Sequence, residues 1–203
     1  MAVPYLILAG LWLAYFFLHS LLASSEVKKH AQCWLGKYYR YYRLGYNIFA
    51  VVTIIPVLLY NALVSTDSLI SSEQLRNFLQ FFGLVLAAYG VIVIRLSFRQ
   101  FSKREFIGLS ASEENHVEPL RTGGVLQHVR HPLYSGTILI VLGLWCFSPT
   151  MANLVTAFAW IVYILIGIQL EEKKLLNLYG DEYRKYKERV PMLIPKLSQL
   201  RRR

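Results

Sequence analysis

Cysteine is nearly absent from this 203-residue chain, charge of either sign is sparse, and acids are scarcer than bases. The two cysteines, Cys33 and Cys146, stand in a basic stretch and inside an apolar run; neither has a C-x-x-C partner or the surroundings of a haem or zinc site. A disulfide framework and a structural metal are therefore disfavoured. Charged residues make up 17% of the chain and hydrophobic ones 55%, more apolar than one soluble core of this length requires. The formal net charge of +10 invites a nucleic-acid reading. Lys and Arg fall between apolar runs, however, where residues facing anionic headgroups are expected, so no nucleic-acid partner is inferred. A basic n-region is missing ahead of the first apolar run, which reads as a retained span rather than a cleaved signal peptide.

What is present is long charge-free sequence. Tyr5 to Ala23, Leu44 to Thr66 and Asn77 to Ile94 contain no Asp, Glu, Lys or Arg, and each can cross a hydrocarbon core of about 30 Å as a helix. His131 to Leu170 is also free of those residues and is about twice the length of one crossing; Ser148-Pro149-Thr150 breaks it near the middle, predicting a tight helical hairpin. The expected fold is all-α and polytopic, a single domain over 1–203 with five transmembrane helices at about 5–23, 44–66, 77–94, 132–148 and 151–170. Pro56 and Pro132 lie within or at the start of spans, where neighbouring helices can satisfy the backbone groups that proline frees. Ser24 to Arg43 carries Lys28, Lys29, Lys37, Arg40 and Arg43 against Glu26 alone, whereas the connection around Asp67 to Arg76 is nearly free of bases. The first loop is thus placed in the cytoplasm, the N-terminus outside, and the tail from 171 to 203 inside. Tyr38, Tyr39, Tyr41, Tyr42 and Tyr46 fit an interfacial aromatic belt.

Polar chemistry concentrates at the two ends of the fourth and fifth spans. Arg130-His131-Pro132-Leu133-Tyr134-Ser135-Gly136 opens the long apolar run and Glu171-Glu172 closes it. Such an arrangement can hold a charged cofactor at the water boundary while an apolar acceptor approaches from lipid. Just upstream, adjacent Gly123 and Gly124 let the backbone at Gly124 and Val125 approach a ligand closely. Pro132 is pre-set for a first helical turn, and Tyr134 and Ser135, three and four residues beyond His131, share its face. Gly136 and Gly143 form a smooth stripe open to two readings, helix packing or a flat ring such as adenine. Adjacent helical residues point about 100° apart, so one of Glu171 and Glu172 can face inward while the other meets water or Lys173 and Lys174; the plain reading is a pair marking a helix end. Leu175, Leu176, Tyr179, Tyr183 and Tyr186 then recur at helical spacing ahead of Val190-Pro191 and Ile194-Pro195, predicting an amphipathic lid along the cytoplasmic face.

R-H-P-x-Y-x-G, the apolar hairpin, E-E-x-x-L and G-x-x-Y-x-x-Y-x-x-x-V-P together resemble the integral-membrane methyltransferases that include isoprenylcysteine carboxyl methyltransferase and the phospholipid methyltransferases. The likeness covers roughly the C-terminal half, through Arg130, His131, Pro132, Tyr134, Gly136, Glu171, Glu172, Leu175, Gly180, Tyr183, Tyr186, Val190 and Pro191. It implies S-adenosyl-L-methionine held between the hairpin and the C-terminal segment. His131 and Tyr134 would contact the cofactor, a carboxylate of the glutamate pair would stand nearby, and Pro132, Gly136, Gly124, Val125, Glu171, Tyr183 and Tyr186 complete the candidate set. His19-Ser20-Leu21-Leu22-Ala23, followed by Arg40 and Tyr41, is similar to the start of bacterial thiol methyltransferases or NnrU-like members, so His19 and Ser20 are candidate substrate residues. Their plain reading is hydrogen bonding between helices or capping of the span. Where that family often reads Tyr-Arg-Tyr-Val, this chain has Leu126-Gln127-His128-Val129.

Methyl transfer from a sulfonium asks mainly for alignment and exclusion of water. A carboxylate acceptor gains from Arg130 or Arg189, whereas a thiol needs a base such as Glu172, His128 or His131. His116, among Glu113, Glu114 and Glu118, reads as part of a solvated loop. The expectation is transfer to a small or lipophilic thiol at the cytoplasmic interface, with membrane lipid as surroundings. Carboxyl methylation of a prenylcysteine-like substrate and N-methylation of a phospholipid are the alternatives. From other classes come a non-catalytic membrane protein and an NADPH-dependent reductase; sterol reductases carry R-H-P-N-Y-x-G-[DE], against Leu133 and Thr137 here.

Overall fold

The structure, a computed structural model, describes residues 2–64, 67–99 and 119–196, and His116 with its acidic neighbours lies outside them. Among the described residues every regular element is a helix, and one isolated bridge joins Ser68 and Thr150. In chain order the elements are α1 (Val3–Ala23), α2 (Ser25–Leu35), a 3-10 helix (Gly36–Tyr41), α3 (Tyr42–Val64), α4 (Glu73–Phe98), a short 3-10 turn (Gly124–Gln127), α5 (Pro132–Phe147), α6 (Met151–Tyr179) and α7 (Asp181–Arg189). The all-α expectation is met. Among the described residues four stretches are long and apolar enough to cross a membrane, namely α1, the run from α2 through α3, α4 and α6, and the chain is a multi-pass membrane protein. At 16 residues α5 is apolar but rises only about 24 Å, short of a hydrocarbon core of about 30 Å.

The segment from Ser24 to Arg43, expected as a loop, is helical almost throughout. Ser24 causes this: its side chain accepts from the Val27 amide at 3.3 Å and caps α2, while its hydroxyl donates to the Leu21 carbonyl and closes α1. The described residues cluster into two compact units. The first comprises residues up to 71 with 149–159, and the second comprises 72–99, 119–148 and 160 onward; α6 contributes residues to both.

In the first unit, α1 buries Leu8, Trp12, Tyr15 and Phe16 along one helical face and leaves Leu6, Leu13 and Phe17 exposed, as befits a helix solvated by lipid. Polar groups in this layer must find partners, because hydrocarbon offers none. The buried Trp12 indole N–H donates to Thr156 Oγ1 at 2.8 Å, the Thr156 hydroxyl donates to Asn61 Oδ1 at 2.8 Å, and the Asn61 amide donates to Asn153 Oδ1 at 2.8 Å.

In the second unit α4 and α5 run antiparallel in close contact. The helices α5 and α6 are joined by Ser148-Pro149-Thr150 alone, and α5 also packs closely on the earlier α4. Four glycines make this possible. Gly83 faces Gly143 and Gly90 faces Gly136 so closely that a Cβ on Gly90 would stand 2.6 Å from the Gly136 carbonyl oxygen, and one on Gly136 would stand 2.7 Å from that of Gly90. Of the two readings of the Gly136–Gly143 stripe, helix packing is the observed one, and no room remains there for a ring. Gly136→Val should accordingly push two backbones apart, costing about 1–3 kcal/mol or more. A thermal melt of the purified protein should show a lowered midpoint, and Gly123→Ala, whose added methyl meets nothing within 4 Å, should leave it unchanged.

Candidate functional site

Pro132 stands in the first turn of α5, as its fixed φ favours, so the helix starts immediately after Arg130-His131. This entrance is closed by the C-terminal segment. The Arg130 amide donates to the Pro191 carbonyl at 2.9 Å, the His131 amide to Met192 at 3.1 Å, and the Ser135 hydroxyl to Leu193 at 2.7 Å. The chain reaches that position by turning at Gly180, whose φ of +54° only glycine adopts readily, between α6 and α7. Tyr183 and Tyr186 on α7 and Val190 just past its end, spaced three and four apart, form one buried face against Leu120, Leu175, Leu176 and Tyr179. The Tyr186 hydroxyl donates to the Leu126 carbonyl at 2.6 Å, tying α7 to the turn ahead of Arg130.

Under this strap lies a knot of charge. Arg130 grips Glu172 Oε1 through Nε at 2.8 Å and a terminal nitrogen at 2.6 Å, while its other terminal nitrogen donates to the carbonyls of Val190 at 2.5 Å and Lys187 at 3.1 Å. Lys187 Nζ reaches Glu172 Oε2 at 2.7 Å, and His131 Nε2 stands 3.3 Å from Glu172 Oε1. Glu172 follows the last residue of the apolar run, Leu170, by two positions, and its side chain is only 9% exposed. Burial pushes its carboxyl up, but the hydrogen bonds from Lys187, Arg130 and His131 and the Arg130 charge outweigh burial and hold it down at about 2.

Glu171 parts from its neighbour as the turn of a helix requires. Its side chain is 45% exposed, lies 3.8 Å from His131 Nδ1, and accepts a hydrogen bond from the Tyr134 hydroxyl. The His131 and Tyr134 rings are 5.7 Å apart, the convergence expected of residues three apart at the start of α5. Tyr183 is 1% exposed, and its buried hydroxyl makes no hydrogen bond of good geometry although the Arg130 guanidinium and Glu172 carboxylate are its charged neighbours. Burial, with the Glu172 charge second, pushes this phenol up and keeps it protonated.

The other sequence-derived candidates have their own settings. Gly124 is exposed with φ of +57°, and the half-buried Val125 accepts from the amides of His128 and Val129 at its carbonyl. His128 is half-buried and its Nδ1 has no partner. Arg189 is exposed, its Nε donating to the Lys185 carbonyl within α7. His19 and Ser20 belong to the first unit, where His19 Nε2 and the Tyr46 hydroxyl are 2.7 Å apart and the imidazole stacks on Tyr15. Lys187 and the strap carbonyls escaped the sequence reading. Lys187 lies four residues past Tyr183 on the inward face, a spacing that could have marked it.

Residues 78–182 match the family profile described as phospholipid methyltransferase. The chain is 39% identical over 118 residues to methanethiol S-methyltransferase of Crocosphaera subtropica, covering 54% of this chain and 45% of that protein. It is 36% identical over 117 residues to methanethiol S-methyltransferase 1 of Bradyrhizobium diazoefficiens, covering 57% and 39%. Protein-S-isoprenylcysteine O-methyltransferase of Schizosaccharomyces pombe is 31% identical over 96 residues, covering 45% and 39%. The chain thus spans less than half the length of these curated relatives. No solved structure matches it.

Proposed function

The chain belongs to the phospholipid methyltransferase family, and on that premise we propose that it moves a methyl group from S-adenosyl-L-methionine to a small or lipophilic thiol at the cytoplasmic membrane interface. The observation that carries this reading is the knot of Arg130, His131, Glu172 and Lys187 beside the half-exposed Glu171 and Tyr134. When bound, the donor supplies a methyl group already activated on a positively charged sulfur. The residues fit such a molecule. Glu171 offers an accessible carboxylate and Tyr134 a ring face to positive charge; Arg130 and Lys187 offer positive charge to a carboxylate, and Tyr183 a buried hydroxyl in need of a partner. Gly124 and Val125 would present backbone to the donor.

Glu172 was a candidate base on sequence grounds, but a carboxyl held at about 2 by three donors is a poor proton acceptor near neutrality. We assign it to positioning Arg130, His131 and Lys187. The thiol proton falls to His128, whose Nδ1 has no partner, rather than to His131, which stands against both glutamates. The preference for a thiol rests on the relatives named methanethiol S-methyltransferase and on the His19-Ser20 start; the Schizosaccharomyces pombe relative supports the carboxylate alternative. The proposed topology keeps one domain of five spans, N-terminus outside and tail cytoplasmic, with the short α5 accommodated by local thinning of the bilayer.

Equilibrium dialysis of the purified protein against labelled S-adenosylmethionine should show binding, with His131→Ala and Glu171→Gln each weakening it at least about tenfold, or 1.4 kcal/mol. Unchanged affinity in both variants removes the site. Transfer of labelled methyl to methanethiol, and not to a prenylcysteine analogue or phosphatidylethanolamine, is the expected pattern; turnover of the carboxylate alone would overturn the thiol assignment.

A further inference from the structure

Lys37-Tyr38-Tyr39-Arg40-Tyr41-Tyr42 is one triplet written twice, a cation followed by two tyrosines, and it lies on the 3-10 helix Gly36–Tyr41 leading into α3. A 3-10 helix has about three residues per turn, so side chains three apart eclipse and a three-residue repeat becomes three straight columns. On an α-helix, with its steps of about 100°, the same repeat would wind around the surface. One column turns inward. The Tyr39 and Tyr42 rings stack 5.7 Å apart at 19°, and the Tyr42 hydroxyl donates to the Leu22 carbonyl at 2.7 Å, pinning the segment to the end of α1.

The other two columns face outward. Lys37 Nζ lies 5.3 Å from the centre of the Tyr38 ring and the Arg40 guanidinium 4.6 Å from that of Tyr41, and all four side chains are exposed. Each cation rests on the face of a ring and keeps N–H donors for a further partner. A rise of about 2 Å per residue sets the cations roughly 6 Å apart along the axis, so two flexible side chains can meet on one phosphate. Four residues before Tyr38, Trp34 is 92% exposed, and α2 has no buried residue.

We propose that this 3-10 segment is an ordered binding site for an anionic phospholipid headgroup, with the phosphate between Lys37 and Arg40 and the glycerol end along Tyr38, Tyr41 and Trp34. Charge complementarity selects that occupant. The stretch from Ser24 to Arg43 holds five Lys and Arg against Glu26, which is itself 3.6 Å from Lys29. A zwitterionic headgroup would bring an ammonium that the two cations repel, whereas an anionic one brings net negative charge. This site is independent of the methyl-transfer reading, and either can fail without the other.

The test equilibrates the purified full chain with equimolar phosphatidylglycerol and phosphatidylcholine in detergent and counts retained lipids by native mass spectrometry. Wild type should retain phosphatidylglycerol preferentially, at about fivefold per contributing cation. Lys37→Gln with Arg40→Gln should bring the preference near unity at an unchanged thermal midpoint, whereas Lys28→Gln with Lys29→Gln, the same change in charge one element earlier, should preserve it. Should the first pair misfold, Tyr38→Leu with Tyr41→Leu tests the same seats and should cut the preference severalfold. Equal retention of both lipids by wild type, equal losses from the two lysine-containing pairs, or an undiminished preference in the tyrosine pair would each overturn the proposal.

Discussion

Replacing Arg130 by alanine should abolish the proposed methyl transfer and free the C-terminal strap. Four hydrogen bonds leave with this side chain, two to Glu172 Oε1 and two to the carbonyls of Lys187 and Val190. Glu172 then keeps only the half-exposed Lys187 and the His131 ring against a burial cost that three donors had offset. Breaking a buried pair in this way costs about 3–5 kcal/mol, or upward of about 100-fold in any equilibrium that needs the intact knot. Two measurements separate the effects. Labelled-methyl transfer should fall below detection, and limited proteolysis should open the chain after α7, which wild type protects. Arg130→Lys should rescue neither, because a point charge cannot replace a planar fork that serves a carboxylate and two carbonyls together.

Glu172→Gln should remove a specific acid sensitivity from the folded protein. The carboxyl titrates at about 2 in the native state against an ordinary 4.5, so its stabilisation is complete above pH 4.5 and drains away as pH falls through 2. A native state that binds fewer protons than the unfolded one grows more stable with rising pH across that window. The size of the shift sets an upper bound of about 3 kcal/mol, which solvent reaching the half-exposed Lys187 lowers. At pH 7 the variant should melt below wild type; between pH 4.5 and 2 the two melting curves should converge. A wild-type midpoint that tracks the variant at every pH would dismiss Glu172 as the fastener of the knot.

Punctuation was the legible part of this sequence. Pro132 and the Ser148-Pro149-Thr150 interruption each mark a boundary the structure respects, because each acts through local backbone chemistry that needs no neighbour, whereas α6 runs on to Tyr179 past the end of the apolar run at Leu170. The parting of Glu171 from Glu172 and the convergence of His131 with Tyr134 followed from helical geometry alone. What depended on distant residues was not legible. Gly136 and Gly143 announce a close approach without naming the helix that approaches; Gly83 and Gly90, which repeat their seven-residue spacing, supply it. Lys187 and the carbonyls of Pro191, Met192 and Leu193 belong to the site only because α7 turns back at Gly180, and carbonyls leave no trace in side-chain patterns. Ser24 to Arg43 was misread as loop because its charge masked a serine cap and a three-residue period.

The strap also bears on how the molecule is made. Arg130 is bonded to a carbonyl 60 positions further along the chain, so its guanidinium has no finished seat while the ribosome is still supplying α6 and α7. Translation delivers α4 and α5 before the fastener arrives, and the closing contacts are the last to become possible. A newborn chain stalled or cleaved ahead of residue 187 would thus leave an embedded scaffold with an unlatched mouth, inactive yet retained in the bilayer.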